Sequence, residues 1–257
     1  MPTAKQNAIS LYMEGIRDGK AREAVTKYTG DRYTQHSTGV ADGVEGFVAF
    51  FEPFIARNPG RDIRVVRALQ DGRHVFLQAH QNINDGEAEW ITTDFFDSDE
   101  DGKIIEHWDV IAAVKPPNPS GRTQWDGPTE VTDLDKTEAN KALVAGFIQT
   151  CLVERQIDRM ADFISTETYI QHNPDVADGL EHFLALVSKP DNQLTYQECF
   201  IMVGEGNFVA TLNRARWGDQ DLCQVDLFRV EDGKIVEHWD NSEPVPPKDE
   251  WANSGKF

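Results

Sequence analysis

The sequence feature that most constrains this chain is a segment that occurs twice. YTQHSTGVADGVEGF at residues 33–47 returns as YIQHNPDVADGLEHF at residues 169–183, an offset of 136. A hydrophobic core requires apolar side chains of about the right volume, but it does not require Gln and His in a fixed order. The repeated polar residues therefore indicate a repeated site within a repeated fold.

The repeat extends beyond this segment. SDEDGKIIEHWDV at residues 98–110 returns as VEDGKIVEHWDN at residues 230–241, so the markers keep their order while small insertions fall between them, as loops tolerate. A period this long indicates a duplicated domain. The predicted organisation is copy one at residues 1–115, a Pro/Gly-rich linker at 116–135, and copy two with a C-terminal tail at 136–257.

Each copy places helical patterns before strand patterns. An amphipathic stripe over residues 4–18, and again after Thr137, predicts a first helix, with Thr137 as a possible cap. β-Branched and aromatic runs separated by Asp-Gly turn signals then predict antiparallel strands. This order predicts an α+β domain with its helices on one face of a curved sheet.

Composition excludes several classes of partner. Asp and Glu outnumber Lys and Arg 44 to 25 in 257 residues, a net charge of −19, so nucleic acid and anionic membranes are not expected to bind. Three cysteines without metal-type spacing indicate no disulfide framework. The start MPTAKQNAIS has no signal-peptide pattern, and no long apolar run occurs, so a soluble, cytoplasmic protein is expected.

The last hairpin of each copy places polar residues together. A three-residue loop with Gly233 in a bulge position predicts that Asp226 lies opposite His238, with Asp240 on the same face. The residues predicted to match them in copy one are Asp94, His107 and Asp109. A two-residue Asp-Gly turn is the alternative, and it would shift the register by one residue and separate Asp226 from His238.

An Asp, a His and an Asp on the inner face of such a sheet are suited to general acid–base chemistry. Burial should raise the pKa of the carboxylates, and the His could hold or relay a proton. The alternative is a cross-strand His–carboxylate pair that only stabilises the fold. The predicted pocket residues are Tyr33, Gln35, His36, His80, Trp90, Tyr169, Gln171, His172 and Asn213. The Tyr-x-Gln-His residues have an alternative role as a turn bonded to the backbone.

Other chemistries have weaker support. His36, His80, Asp94 and His107 might converge on a metal, but no close ligand spacing occurs and Asn213 is aligned with His80 in copy two. No Gly-x-Ser-x-Gly elbow and no cysteine common to both copies indicates a nucleophile. Neither a metal nor a cofactor is predicted.

At these residues a resemblance can be stated. YIQHNPDVADG, followed by VDLFRVEDGKIVEHWD, resembles the SnoaL-like (polyketide cyclase-like) family of the nuclear transport factor 2-like superfamily, and the resemblance covers both halves as two tandem copies. The ending NSGKF resembles the tail of the same family. The resemblance implies two cone-shaped α+β barrels, each with three helices around one apolar pocket, packed as an internal pseudo-dimer that buries Trp108 and Trp239.

The resemblance also implies functions. Related proteins include cyclases that close a ring by aldol chemistry without a cofactor, and relatives that isomerise ketosteroids or hydrolyse epoxides. The Asp that works as acid and base in the cyclases matches Asp109 and Asp240. QHST replaces the family's QHNP in copy one, and copy two has Asn213 and Arg214 where copy one has His80 and Gln81, so either copy is open to loss of activity.

The sequence is therefore compatible with three functions. The first is a cofactor-independent cyclase, isomerase or aldol-type lyase acting on a small, largely apolar carbonyl compound. The second is a binding protein or pseudoenzyme that keeps the pocket without turnover. The third is a structural module.

Overall fold

The computed structural model describes residues 3–257, which form two compact units. Unit 1 comprises residues 3–113 together with residues 245–257, and unit 2 comprises Val114–Pro244. The tail that follows the second copy of the repeat thus belongs to unit 1, and the whole segment predicted as a linker, residues 116–135, belongs to unit 2. The compact units therefore divide the chain at different places from the sequence repeat.

Unit 1 begins with its helices. Helix α1 spans Ala4–Ser10 and continues as a π-helical turn over Leu11–Arg17, α2 spans Ala21–Tyr28, and α3 spans Gly43–Arg57. Thr3 and Gln6 form a capping box that satisfies free backbone donors at the start of α1. The apolar stripe predicted from the sequence lies in the core, where Ala8, Tyr12 and Ile16 pack with sheet residues such as Leu77.

The sheet of unit 1 is formed by the following strands, in chain order: β1 Thr29–Gln35, β2 Arg61–Asp71, β3 His74–Ile83, β4 Ala88–Ser98 and β5 Ile104–Ala113. Their spatial order is β1-β5-β4-β3-β2. β1 runs parallel to β5, and the other pairs are antiparallel. The sequence pattern did not predict β1, which ends in the repeated Tyr-x-Gln, so the sheet is mixed where an antiparallel one was expected.

Unit 2 repeats this plan. Its helices are α4 Thr137–Phe147, which continues as a π-helical turn over Ile148–Val153, α5 Met160–Phe163 and α6 Leu180–Val187. Short 3₁₀ turns cover Leu134–Lys136 and Ile157–Arg159, and another in unit 1 covers Lys248–Glu250. Its strands are β6 Ile170–Gln171, β7 Leu194–Glu205, β8 Phe208–Trp217, β9 Gln220–Glu231 and β10 Lys234–Pro244.

The strand order of unit 2 is β6-β10-β9-β8-β7, the same as in unit 1. The predicted fold class, α+β in two tandem units, is therefore confirmed for the described residues. One local prediction is wrong: Thr137 lies inside α4 and donates its hydroxyl to Leu134, so it is not the cap. Packing of the two units as an internal pseudo-dimer stays a prediction.

The hairpin between β9 and β10 corrects the predicted register. Glu231 pairs with Lys234 across a two-residue turn, and both turn residues, Asp232 and Gly233, have positive φ. The predicted three-residue loop is therefore wrong. The pairing then shifts by one residue between Ile235 and Glu237, so a bulge at Val236 places Asp226 opposite Asp240.

The bulge returns the polar residues to one face. The turn alone would have separated Asp226 from His238, but the extra residue at Val236 restores the alternation. Unit 1 has the same irregularity between β4 and β5, where Asp94 pairs with Asp109. The prediction of which side chains share a face is correct, although the pairs are displaced by two residues.

Candidate active site

The repeated Tyr-x-Gln motif is the start of a hydrogen-bond chain in unit 1. β1 pairs with β5 so that Gln35 is the neighbour of His107. The Gln35 amide donates to the Tyr33 hydroxyl at 2.9 Å, and its oxygen lies 2.9 Å from His107 Nδ1. His107 Nε2 lies 3.0 Å from Asp94 Oδ1, which is the contact the sequence predicted. The motif is repeated because its residues connect a Tyr to a His–Asp pair.

This chain fixes where a proton can be held. The Gln35 amide nitrogen is directed at Tyr33, so its oxygen must accept from His107, and the network assigns a hydrogen to His107 Nδ1. The contact between Nε2 and the Asp94 carboxyl then requires one further proton, on either partner. The His107–Asp94 pair therefore holds one exchangeable proton.

Asp94 has the environment of a general base or acid. Its side chain is buried, with 3% of the residue exposed, and no hydrogen-bond partner reaches its Oδ2. Burial, opposed by the hydrogen bond and charge of His107 and assisted by the charge of Asp109, raises its pKa above the ordinary value. A carboxylate with a raised pKa and one free oxygen is suited to accept a proton.

Asp109 is held differently, although it is the direct cross-strand partner of Asp94. Lys256 in the C-terminal tail places its Nζ 3.0 Å from Asp109 Oδ1. Burial alone would raise the pKa of Asp109, but the charges of Lys256 and His107 and the hydrogen bonds from Lys256 and Ser37 outweigh it and lower that pKa. Asp109 is therefore a stable anion.

The two carboxylates face a cavity of about 260 Å³ in unit 1. Of the predicted site residues, those that line it are Tyr33, Gln35, Trp90, Asp94, His107 and Asp109. Its aromatic lining comes chiefly from Phe47, Phe50, Phe51, Phe54, Trp90 and Phe96. Phe50 and Ile111 are each 43% exposed, so they mark the side on which the cavity meets solvent. A pocket of this kind suits a small, largely apolar ligand.

Tyr33 contributes a donor to this cavity. Its hydroxyl accepts from the Gln35 amide, which leaves the hydroxyl hydrogen for an acceptor in the cavity. Burial and the charges of Asp109 and Asp94 raise the pKa of Tyr33, so the phenol stays protonated at neutral pH. Tyr33 can therefore stabilise negative charge on a bound oxygen without itself ionising.

Two predicted pocket residues of unit 1 lie elsewhere. His36 stacks on Trp108, with ring centroids 4.5 Å apart, and contacts Glu106 and the carbonyl of Gly255. His36 is wrong as a pocket residue, because along β1 and its exit the side chains alternate and the Gln35 side chain takes the inner face.

His80 is also wrong as a pocket residue. Its ring lies 2.7 Å from Glu89 and 3.3 Å from Arg64, while the next residue, Gln81, lines the cavity. The predicted match between His80 and Asn213 is one residue out of register. Thr211 is opposite Asp226 and Leu77 is opposite Asp94, so Asn213 corresponds to Ala79. A shift of one residue reverses the face of the sheet.

Unit 2 contains the same hydrogen-bond chain. Gln171 donates to Tyr169 at 3.2 Å, its oxygen lies 3.1 Å from His238 Nδ1, and His238 Nε2 lies 3.0 Å from Asp226 Oδ1. Burial works against a charged His238, but its hydrogen bond with Asp226 and the charges of Asp226 and Asp240 raise its pKa. The second predicted His–Asp contact is therefore present.

The carboxylates of unit 2 have different neighbours from those of unit 1. The Tyr196 hydroxyl lies 3.1 and 3.0 Å from the two oxygens of Asp226, and Asn213 donates to Oδ2 at 2.9 Å. Asp240 accepts from Asn173 at 2.7 Å, and no partner reaches its Oδ1. Burial, with the charge of Asp226 and against that of His238, raises the pKa of Asp240. In unit 2 Asp226 is saturated, and Asp240 has the free oxygen.

His172 lies outside this inner cluster and is wrong as a pocket residue. It stacks on Trp239, with ring centroids 4.5 Å apart, and contacts Glu237 and the carbonyl of Thr123. Trp239 is buried within unit 2, and its indole donates to the carbonyl of Asp126. The His after each Tyr-x-Gln therefore contacts a backbone carbonyl. For His36 this is Gly255 in the C-terminal tail, and for His172 it is Thr123 in the segment after β5.

Sequence reasoning missed three residues that shape the sites. Tyr12, on the helical stripe, hydrogen-bonds to Thr92 at 2.6 Å and accepts from Gln81 at 2.6 Å, and it lines the cavity. Lys256 and Tyr196 are the other two. Tyr12 stood out only as a polar atom on an apolar stripe, and Lys256 only as one of two lysines in the tail. Tyr196 gave no signal in the sequence.

The described part of the chain shows neither a metal-binding cluster nor a membrane-spanning helix. Among residues 3–257, no group of three or more His, Cys, Asp or Glu side chains has an arrangement that could hold a metal ion. No helix in the described part of the chain is long and apolar enough to cross a membrane.

Comparison with known proteins identifies the first unit. Residues 9–107 match the family model of the SnoaL-like domain, so unit 1 contains a SnoaL-like domain. The match does not include unit 2. None of the curated proteins compared with the chain matches it.

Two similar solved structures each match less than half of this chain. A SnoaL-like polyketide cyclase from Agrobacterium tumefaciens is 14% identical over 44% of this chain and 93% of that chain, with a TM-score of 0.37. An LEH-like epoxide hydrolase from M. tuberculosis is 16% identical over 42% of this chain and 82% of that chain, with a TM-score of 0.35.

Proposed function

We propose that unit 1 is a cofactor-independent acid–base enzyme that moves a proton next to the carbonyl of a small, largely apolar compound, as a cyclase, isomerase or aldol-type lyase does. One observation carries the proposal: Asp94 is buried at the cavity, bonded to His107 through one oxygen and free at the other. The match of residues 9–107 to the SnoaL-like domain supports it.

The proposed chemistry balances without an added reagent. Asp94 Oδ2 accepts the proton from the carbon next to the carbonyl, and the electron pair of the broken C–H bond forms an enolate. Tyr33 donates a hydrogen bond to the enolate oxygen. Return of the proton to another carbon gives an isomer. Attack of the enolate carbon on a second carbonyl of the same molecule instead forms the C–C bond of a ring, and the alkoxide produced takes the proton back from Asp94.

The lining indicates the ligand class. Aromatic rings surround the cavity, its charged groups include two carboxylates, and Lys256 is already bonded to one of them. An anionic ligand would be repelled, whereas a neutral aryl or cyclic ketone would bury apolar surface. The net charge of −19 likewise favours a small molecule over nucleic acid or an anionic membrane.

The test measures proton removal without requiring the natural substrate. The full chain is incubated in D₂O with 2-tetralone, and proton NMR follows loss of the signals next to the carbonyl. Wild-type protein should accelerate exchange, and Asp94→Asn should lower the rate by about 10² to 10⁴-fold. Asp62→Asn, a matched change at an exposed residue of β2, should leave the rate unchanged. A rate equal in wild type and Asp94→Asn would contradict the proposal.

Non-catalytic ligand binding is the second candidate, and one observation favours it for unit 2. Tyr196, Asn213 and His238 all contact Asp226, so that carboxylate has little capacity left to exchange a proton with a ligand. Asp226→Asn and Asp240→Asn in the same exchange assay separate the two functions. We expect both to retain most of the wild-type rate, and a fall of 10² or more in either would assign catalysis to unit 2.

A further inference from the structure

Lys256 is a buried cation in a segment remote in sequence from the strands it contacts. Its residue is 1% exposed, and its Nζ lies 3.0 Å from Asp109 Oδ1. Burying an ammonium group is costly unless an opposite charge compensates it, so this geometry is maintained only if Asp109 is ionised. The pair places a fixed positive charge behind one of the two facing carboxylates.

The tail that carries Lys256 is docked onto the loop that follows β1. Asn253 donates to the carbonyls of Ser37 and Val40 at 2.6 and 2.9 Å, and the Ala252 amide donates to the carbonyl of Thr38 at 2.8 Å. His36 contacts the carbonyl of Gly255 at 2.6 Å. Lys256 is therefore positioned by a set of directional bonds in unit 1.

The two facing carboxylates cannot both be ionised without repulsion. Asp94 and Asp109 are direct cross-strand partners, and a proton on either one relieves the conflict. His107 interacts with both, and the other groups near Asp109 include Tyr12 from the π-helical turn after α1, Tyr33 from β1 and Ser37 from the following loop. Lys256 places its ammonium group directly on the Asp109 carboxylate, with Nζ 3.0 Å from Oδ1.

We propose that Lys256 is a positioning residue that keeps Asp109 as the permanent anion of the pair and so leaves Asp94 as the group that exchanges the proton. The inference rests on the proposed acid–base function of unit 1. It departs from the sequence expectation, which gave the working role to Asp109.

Unit 2 provides an internal comparison. His36 contacts the carbonyl of Gly255, and His172 makes the equivalent contact with the carbonyl of Thr123. The residue after Gly255 is Lys256 and the residue after Thr123 is Gln124, so Gln124 is the counterpart of Lys256 in unit 2. Gln124 is neutral, and Asp240 accepts a hydrogen bond from the side-chain amide of Asn173. The two sites thus differ in the charge that the tail supplies.

The test uses Lys256→Met, which preserves most of the chain length and removes the charge. Carboxyl ¹³C signals of Asp94 and Asp109, assigned with Asp94→Asn and Asp109→Asn, are titrated in the full chain. Of these two carboxyls, Asp94 should titrate above the ordinary range in wild type and Asp109 should not. In Lys256→Met the Asp109 signal should titrate at a higher pH than in wild type, and kcat for ketone exchange should fall about tenfold to a hundredfold, part of the contribution of a general base.

Two further variants separate charge from folding. Lys256→Arg keeps the charge and should keep the wild-type titration of Asp109. Lys256→Met combined with Asp109→Asn removes both buried charges, so it leaves no unpaired ion to disrupt folding, and it should restore a single raised titration at Asp94. This double variant provides the test if Lys256→Met alone does not fold.

An Asp109 signal that titrates identically in wild type and Lys256→Met would overturn the inference, as would a double variant in which Asp94 loses its raised titration. These titrations require no turnover. Failure of wild-type protein to exchange ketone protons would overturn the proposed function instead, so the two failures are distinguishable.

Discussion

Asp94 and Asp109 face each other across β4 and β5, yet each has a different partner. Asp94 is bonded to His107 and keeps one oxygen free, whereas Asp109 is bonded to Lys256. Two carboxylates of the same type at adjacent positions thus acquire opposite pKa shifts, raised at Asp94 and lowered at Asp109. Separation of this kind is how one site provides a proton acceptor and a fixed charge.

Tyr33→Phe should reduce turnover while preserving the fold. The change removes the hydroxyl that is available to an enolate oxygen, and loss of one such donor lowers kcat by about 10² to 10³-fold. The measurement is steady-state ketone exchange by the full chain. Tyr28→Phe is the matched control, because the Tyr28 hydroxyl donates to Glu14 away from the cavity, and it should keep the wild-type kcat. Equal rates in the two variants would contradict the role of Tyr33.

His80→Gln should affect stability and Gln81→Leu should affect turnover, because these adjacent residues of β3 lie on opposite faces of the sheet. His80→Gln weakens contacts with Glu89 and Arg64, so the free energy of unfolding should fall by about 1 kcal/mol while kcat and KM stay unchanged. Gln81→Leu alters the cavity wall and removes a donor to Tyr12, so KM or kcat should change. Urea denaturation and exchange kinetics provide both measurements. A loss of turnover in His80→Gln would return that residue to the site.

The stability of unit 2 should fall as the pH rises above neutrality. His238 has a raised pKa in the folded chain, so its contribution is fully present below its unfolded pKa of about 6.5 and is lost as the pH rises through the folded value. Asp240, whose pKa is also raised, acts in the same direction. The slope from His238 is at most about 1.4 kcal/mol for each pH unit.

Urea titrations between pH 6 and pH 9, followed by the amide NMR signals of β9 and β10, measure this dependence. His238→Gln should flatten the curve. A wild-type stability that is constant over this range would contradict the assignment of a raised pKa to His238.

Asn118→Ala should destabilise unit 2 without affecting the cavity of unit 1. The Asn118 amide donates to the carbonyls of Gln171 and Val176, and its oxygen accepts from the Ser120 and Arg122 amides. Leaving such buried groups unsatisfied costs about 1 to 3 kcal/mol. Denaturation followed by unit 2 signals measures the loss, and ketone exchange by unit 1 should be unchanged. Unaltered stability would show that water replaces these bonds.

The corresponding change in unit 1, Asn253→Ala, differs in its expected effect. Asn253 anchors the tail that carries Lys256, so this variant should lower both stability and exchange. Retention of the wild-type exchange rate in Asn253→Ala would show that Lys256 stays in place without this anchor.

The sequence by itself determined the repeated α+β plan and the face that the polar residues of the last two strands of each unit occupy. A strand alternates its side chains with a period of two, so the HWD segments place His107 with Asp109 and His238 with Asp240 whatever the exact pairing. The bulges at Ile105 and Val236 were not predictable, because β-branched residues occur in regular strands as well. These bulges displace the cross-strand pairs by two residues from the predicted ones, and a shift of two residues keeps each side chain on the same face of the sheet.

Tertiary structure alone decided which of the two carboxylates has a raised pKa and which a lowered one. Lys256 is separated from Asp109 by 147 positions in the chain, and Tyr12 from Thr92 by 80, so neither contact leaves a periodic signal in the sequence. The partners of His36 and His172 include the backbone carbonyls of Gly255 and Thr123, which no side-chain pattern encodes. The alternation of side chains along a strand depends only on the order of neighbouring residues, whereas a pKa depends on every charge that folding brings within a few ångströms.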